Sequence, residues 1–246
     1  MKGLLKISWL NVKNIAYSKK FMLGISIAFI YSMMWVFLVR PSRYGLSEYA
    51  FEIGRFLFIV ILYSTVSLLR NDIIFNTTKT VFTGIFSRIE IMITKAISLI
   101  IWGIIFALII EINNVVASCI LYEKIGISGF LAFNHLELFI TYIVIALCIG
   151  SLMFLISSIM FNESKTVLFF ILFISMINFY TAGIVTLIFR HPEVANKLFI
   201  YLQTPFYNIV LLTQGIFNIK AVIINLAWTL IFFVSATFVI NRREIK

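Results

Sequence analysis

Charge is scarce in this 246-residue chain: Asp, Glu, Lys and Arg together make up 12% of it, about half the share of an ordinary soluble domain. Acidic residues are the rarer sign, 10 against 20 Lys and Arg, and there are only 2 His and 2 Cys. Each shortage removes a class of function. No GxxxxGK[ST] run occurs, so the sequence carries no phosphate-cradling loop. No HExxH occurs, and no metal site, cofactor site or catalytic pair is visible, so an enzyme acting by itself is not expected. His135 and His191 stand isolated in expected outer loops, and no series of Asp, Glu and His marks a proton relay. Cys119 and Cys148 read as small apolar fillers. The surplus of base is not gathered into a patch that would track a nucleic acid. It is scattered through short segments between apolar runs, where Lys and Arg set topology.

What is abundant is apolar: 62% of the residues, with a mean hydropathy of +1.07. The expected fold is an all-α polytopic membrane protein, a single transmembrane domain over residues 1–246. Six spans are expected at residues 21–39, 54–69, 96–120, 136–156, 166–188 and 221–240. The third is interrupted by Glu111, Asn113 and Asn114. At about 37 Å it exceeds a hydrocarbon core of about 30 Å, so it tilts or projects.

Ahead of the first span, Lys2, Lys6, Lys13 and Lys20 fall within about 40° of one another on a wheel of about 100° per residue. Leu4, Leu5, Ile7, Leu10, Val12 and Ile15 take up much of the rest. Residues 1–20 therefore fit a helix lying on the cytoplasmic leaflet, lysines toward phosphate and the apolar arc in the acyl boundary. A plain basic flank that orients span one is the other reading. Residues 190–220 are apolar but hold Gln203, Thr204, Pro205, Asn208, Thr213, Gln214 and Gly215, a poor surface for lipid. Two half-helices that dip in from the outer face and return would bury this irregular backbone against protein. With both termini cytoplasmic, 13 of the 20 Lys and Arg fall inside, in residues 1–20, 70–95, 157–165 and 241–246, and 7 outside. Arg40, Arg43 and Arg55 are the outer exceptions.

Between spans two and three lies a polar stretch, residues 70–95. It contains Asn76-Thr77-Thr78-Lys79, a short helix expected through Phe82 and Phe86, then Ser87-Arg88, and Lys95 where span three opens. This order resembles the pattern of ABC-2 type transporter permeases, in which a Gly-Thr pair, a coupling helix and a Ser-Arg lead to a Lys opening span three. Asn76 stands in place of the usual Gly, and Ile85 where many members have Pro. The basic surface helix, the broken outer segment and the Arg242-Arg243-Glu244 tail extend the likeness over nearly the whole chain.

The resemblance implies a permease subunit of an ATP-driven exporter in a bacterial cell membrane. ATP and Mg would sit on a separate ABC ATPase subunit, and two permease chains, a homodimer, would face each other in the lipid. The chain is most similar in kind to phenol-soluble modulin and antimicrobial peptide exporter permeases of Gram-positive bacteria, which implies an amphipathic peptide as substrate. The loop's own chemistry fits: Phe75, Phe82, Ile85 and Phe86 offer apolar anchors to an ATPase groove, and Lys79 and Arg88 offer charge at its rim. The same aromatics would equally pin the loop to the membrane.

Ser64, Thr65, Ser67, Ser175, Asn178, Thr181 and Gly183 are small or polar positions suited to a cavity or dimer face, or to plain helix packing. Glu111 would greet a cationic cargo from a cavity, or contact headgroups at the surface. An immunity permease that clears antimicrobial peptides would share every one of these features, and a non-ABC membrane channel or scaffold would need no ATPase.

Overall fold

The computed structural model describes residues 2–74, 87–160 and 164–242, and among them there are helices and no strand. A first helix, α1 (Lys2–Ala16), is followed by α2 (Lys19–Met34), which starts where the Ser18 hydroxyl accepts a hydrogen bond from the Phe21 N–H at 3.2 Å. α2 runs on into a wider π-helical turn, Trp35–Val39, ended by Arg40 in the left-handed region at φ 38°. Then come α3 (Leu46–Ile74), α4 (Arg88–Ile120), α5 (Gly126–Ala132), α6 (His135–Ile159), α7 (Ser164–Arg190), α8 (Glu193–Lys197), α9 (Phe199–Leu202), α10 (Pro205–Thr213) and α11 (Ile219–Arg242). Six of the helices are long and apolar enough to cross a membrane: α2 with its π turn, α3, α4, α6, α7 and α11. The chain is a multi-pass helical membrane protein.

Each spanning helix outruns the apolar run that announces it, because polar residues build its ends. α4 starts at Arg88 and not at residue 96, since Ser87 and Glu90 form a capping box: the Ser87 hydroxyl accepts from the Glu90 N–H at 3.2 Å, and the Glu90 carboxylate accepts from the Ser87 N–H at 2.8 Å. α3 starts at Leu46 and not at residue 54, with the Glu48 carboxylate accepting from the Gly45 N–H at 2.8 Å. Arg55, expected in an outer segment, therefore lies inside α3.

α6 forms the centre, packed by α4, α11 and α3. In a bilayer the hydrophobic effect does not press helices together, so close contact depends on small residues. Gly103 of α4 meets α6 so tightly that a Cβ there would stand 2.5 Å from the Ile143 Cα. Toward α2 the same helix packs aromatics, with the Trp102 and Phe21 ring centroids 4.8 Å apart.

α1 docks on α4. Ser8 is fully buried, its hydroxyl 2.9 Å from both Leu4 O and Thr94 O, and Val12 and Ile15 are buried with it. Leu5, Trp9, Leu10 and Tyr17 stay exposed. The single acyl-facing arc expected for residues 1–20 is thus divided, because Val12 and Ile15 find protein in place of lipid.

In the 190–220 stretch, α9 and α10 are separate short helices whose junction is satisfied by side chains. Asn208 Nδ2 donates to Leu202 O at 2.9 Å and Thr204 O at 2.8 Å, and Trp228 Nε1 of α11 donates to Gln203 O at 2.9 Å. α10 starts with Pro205 behind the Thr204 cap and packs on α7 and α11.

Candidate functional site

Five of the six residues expected to contact an ATPase, Phe75, Lys79, Phe82, Ile85 and Phe86, lie outside the described residues. The sixth, Arg88, opens α4, and its Nη1 donates to Ile240 O and Asn241 O at 3.0 Å each. Lys95 lies inside α4 and is buried.

The small and polar positions divide into two groups. Ser64, Thr65 and Ser67 are buried within α3, each hydroxyl returned to a carbonyl of its own helix: Val60 O at 2.8 Å, Leu62 O at 3.0 Å and Tyr63 O at 2.8 Å. Ser175 and Asn178, on α7, instead line a cleft against α2 and α3. Thr181 is buried one turn further on and meets the Tyr201 hydroxyl, while Gly183 faces open space.

Two charged clusters occupy the half of the bundle that contains the start of α3 and the end of α4. In the first, Glu52 of α3 is 3% exposed and both its oxygens are engaged. Oε2 accepts from the Tyr31 hydroxyl at 3.0 Å and Arg55 Nη1 at 3.2 Å; Oε1 accepts from the Tyr44 hydroxyl at 3.3 Å. Burial, and then the Glu52 carboxylate, push the Tyr44 phenol above its ordinary value, so it remains a donor. Sequence reading missed this cluster, although an ionisable pair three residues apart in an apolar helix is a usable signal. The apolar run begins at Gly54, which leaves Glu52 outside the span that hydropathy alone marks.

The second cluster corrects the view of His135 as isolated. Its Nδ1 is 2.8 Å from Glu111 Oε1 and its Nε2 is 3.0 Å from Phe130 O. Both neighbours are acceptors, so both contacts are hydrogen bonds when each ring nitrogen carries a proton. Glu111 thereby ties the last third of α4 to the first residue of α6. His191, also expected to be isolated, lies 3.2 Å from Glu193, with both groups largely in the open.

The same half of the bundle holds a layer of further buried polar side chains. Val36, Tyr49 and Ala117 share one apolar cluster. About one turn earlier on α2 and α4 sit Ser32, Asn113 and Asn114, all fully buried. The Ser32 and Tyr49 hydroxyls and all four amide atoms of Asn113 and Asn114 have no hydrogen-bond partner among the described residues. Each such group costs about 1–3 kcal/mol when left unbonded.

No protein-family model matches the chain, and no curated protein matches it. Fold and site together define a multi-pass helical membrane protein whose bundle buries charged and polar side chains, Glu52 and Lys95 among them.

Proposed function

We propose that the chain is the permease subunit of an ATP-driven ABC exporter that moves amphipathic peptides, such as phenol-soluble modulins, out across a bacterial cell membrane. The observation that carries this reading is the arrangement at one end of the bundle. There α3 ends and α4 begins, with residues 75–86 between them; α1 lies against the start of α4, and Arg88 ties that start to the last turn of α11. A permease that draws its energy from a separate ATPase needs a braced point of contact, and a push at the start of α4 passes into α1 and α11 as well.

In this reading Phe75, Phe82, Ile85 and Phe86 fill an ATPase groove, with Lys79 at its rim and Arg88 at the root of the knob. ATP and Mg are held by the partner ATPase. Both termini are cytoplasmic. α1 lies in the inner leaflet boundary with Lys6 and Lys13 toward the headgroups, and its exposed Leu5, Trp9 and Leu10 in the acyl region. Residues 190–220 form a re-entrant segment on the outer face, where Asn208 and Trp228 supply the hydrogen bonds its broken backbone needs. α2, α7 and α11 leave most of their surface uncovered, which gives room for lipid and for a second permease chain in a homodimer.

The test is co-purification. Phe82→Ala with Phe86→Ala should remove about 2–4 kcal/mol of docking energy if both are hot spots, and the ATPase should no longer accompany the permease, which still inserts. Undiminished recovery of the ATPase with the double variant overturns the docking assignment. With the ATPase in reconstituted vesicles, hydrolysis should rise on adding amphipathic helical peptides and not on adding sugars.

A further inference from the structure

Beside Glu52, a cleft of about 200 Å³ opens on the flank of the bundle between α2, α3, α7 and α10. Arg55 enters it with its side chain 26% exposed. Its guanidinium carbon lies 5.7 Å from the Phe51 ring centroid and 4.8 Å from that of Phe179, so the cation is held between aromatic faces from two helices. The lining residues include Arg55 and Tyr31 but not Glu52. The carboxylate sits behind the guanidinium with both oxygens taken up, and Arg55 spends one Nη1 donor on it. The cleft therefore meets the remaining donors of a cation and not its counter-charge. On the opposite wall, Asn178 Oδ1 is buried and has no hydrogen-bond partner among the described residues.

Depth and entry narrow the occupant. α3 has 29 residues and is about 43 Å long, against a hydrocarbon core of about 30 Å. Arg55 lies about 13 Å from the start of α3, in the half of the spanning segment where that helix begins. Ile59 and Phe179, at the mouth, are 42% and 61% exposed on the flanks of spanning helices, so entry is from the acyl phase.

We propose that this cleft binds an anionic lipid of the surrounding bilayer. Arg55 donates to the headgroup phosphate, the Asn178 amide turns to accept from a headgroup hydroxyl, and an acyl chain runs out past Ile59 and Phe179. Phosphate suits a guanidinium because two N–H groups in one plane meet two of its oxygens. The inference needs neither an ATPase nor a cargo, so it stands or falls apart from the exporter reading.

The experiment is native mass spectrometry of the full chain released from micelles containing equal phosphatidylglycerol and phosphatidylcholine. Wild type should retain phosphatidylglycerol over phosphatidylcholine by on the order of tenfold, because both offer the phosphate but choline sets a cation against Arg55 and has no hydroxyl for Asn178. Glu52→Gln with Arg55→Gln removes both charges without stranding a buried carboxylate, and it should abolish the preference. Asn178→Leu, which leaves the ion pair intact, should weaken it. Glycerol phosphate, a headgroup without chains, should not displace the lipid. Equal retention of the two lipids, a preference unchanged in both variants, displacement by glycerol phosphate, or retention of an added amphipathic peptide in place of lipid would each overturn the proposal.

Discussion

Arg88 caps the last turn of α11: its Nη1 donates to Ile240 O, 152 residues away in sequence, at 3.0 Å, and to Asn241 O at the same distance. The final carbonyls of a helix have no partner within it, and a cation there also meets the negative end of the helix dipole. A bond from a charged donor contributes about 1.5–3 kcal/mol. Arg88→Gln should therefore speed amide hydrogen exchange in the last turn of α11 as well as in the first turn of α4. A change confined to α4 would show that the cap contributes nothing.

The contact between α4 and α6 makes a sharp pair of substitutions. Gly103→Ala puts a methyl group against the backbone of Ile143, which cannot rotate away, and overpacking of this kind costs about 1–3 kcal/mol. Gly183→Ala adds the same methyl group where nothing lies within 4 Å. Melting in detergent should drop for the first and stay level for the second; equal melting temperatures would refute the close approach.

Asn114 should be replaceable with profit to stability. Its buried amide has neither atom bonded among the described residues, and Leu has a similar branched shape with nothing to desolvate. Asn114→Leu is expected to raise the melting temperature, by up to about 1–3 kcal/mol in stability. A fall would mean that a bound water or ion holds the amide, and that the polar layer is occupied in the membrane.

Topology is open to chemical labelling. In a background with Cys119, which is exposed, replaced by Ser, a cysteine at position 79 or 246 should react with an impermeant maleimide only after the membrane is opened. One at position 191, in the segment between α7 and α8, should react in intact cells. Labelling of position 79 in intact cells would reverse the orientation.

Helical class and six spans were legible without coordinates, because a run of some twenty apolar residues in lipid has one way to satisfy its backbone, within itself. Helix ends were less legible. A hydropathy profile stops at the last apolar residue, while Ser87 and Glu90 extend α4 by bonding its first N–H groups. Ser175 and Asn178 line a cleft on the flank of the bundle. Ser64 and Thr65 look the same in composition and are buried on their own helix.

The number of spans, the all-helical fold and the broken stretch at 190–220 follow from the order of apolar and polar residues, since burial of apolar surface and backbone hydrogen bonding are local demands. The pairs that give the bundle its chemistry are of another kind. Glu111 with His135, Arg88 with Ile240, and Glu52 with Tyr31 join residues on different helices or across a turn. A charge in a membrane is tolerable only beside its partner, and which helix brings that partner is settled by how the helices pack, through contacts such as Gly103 against Ile143 that no single segment contains.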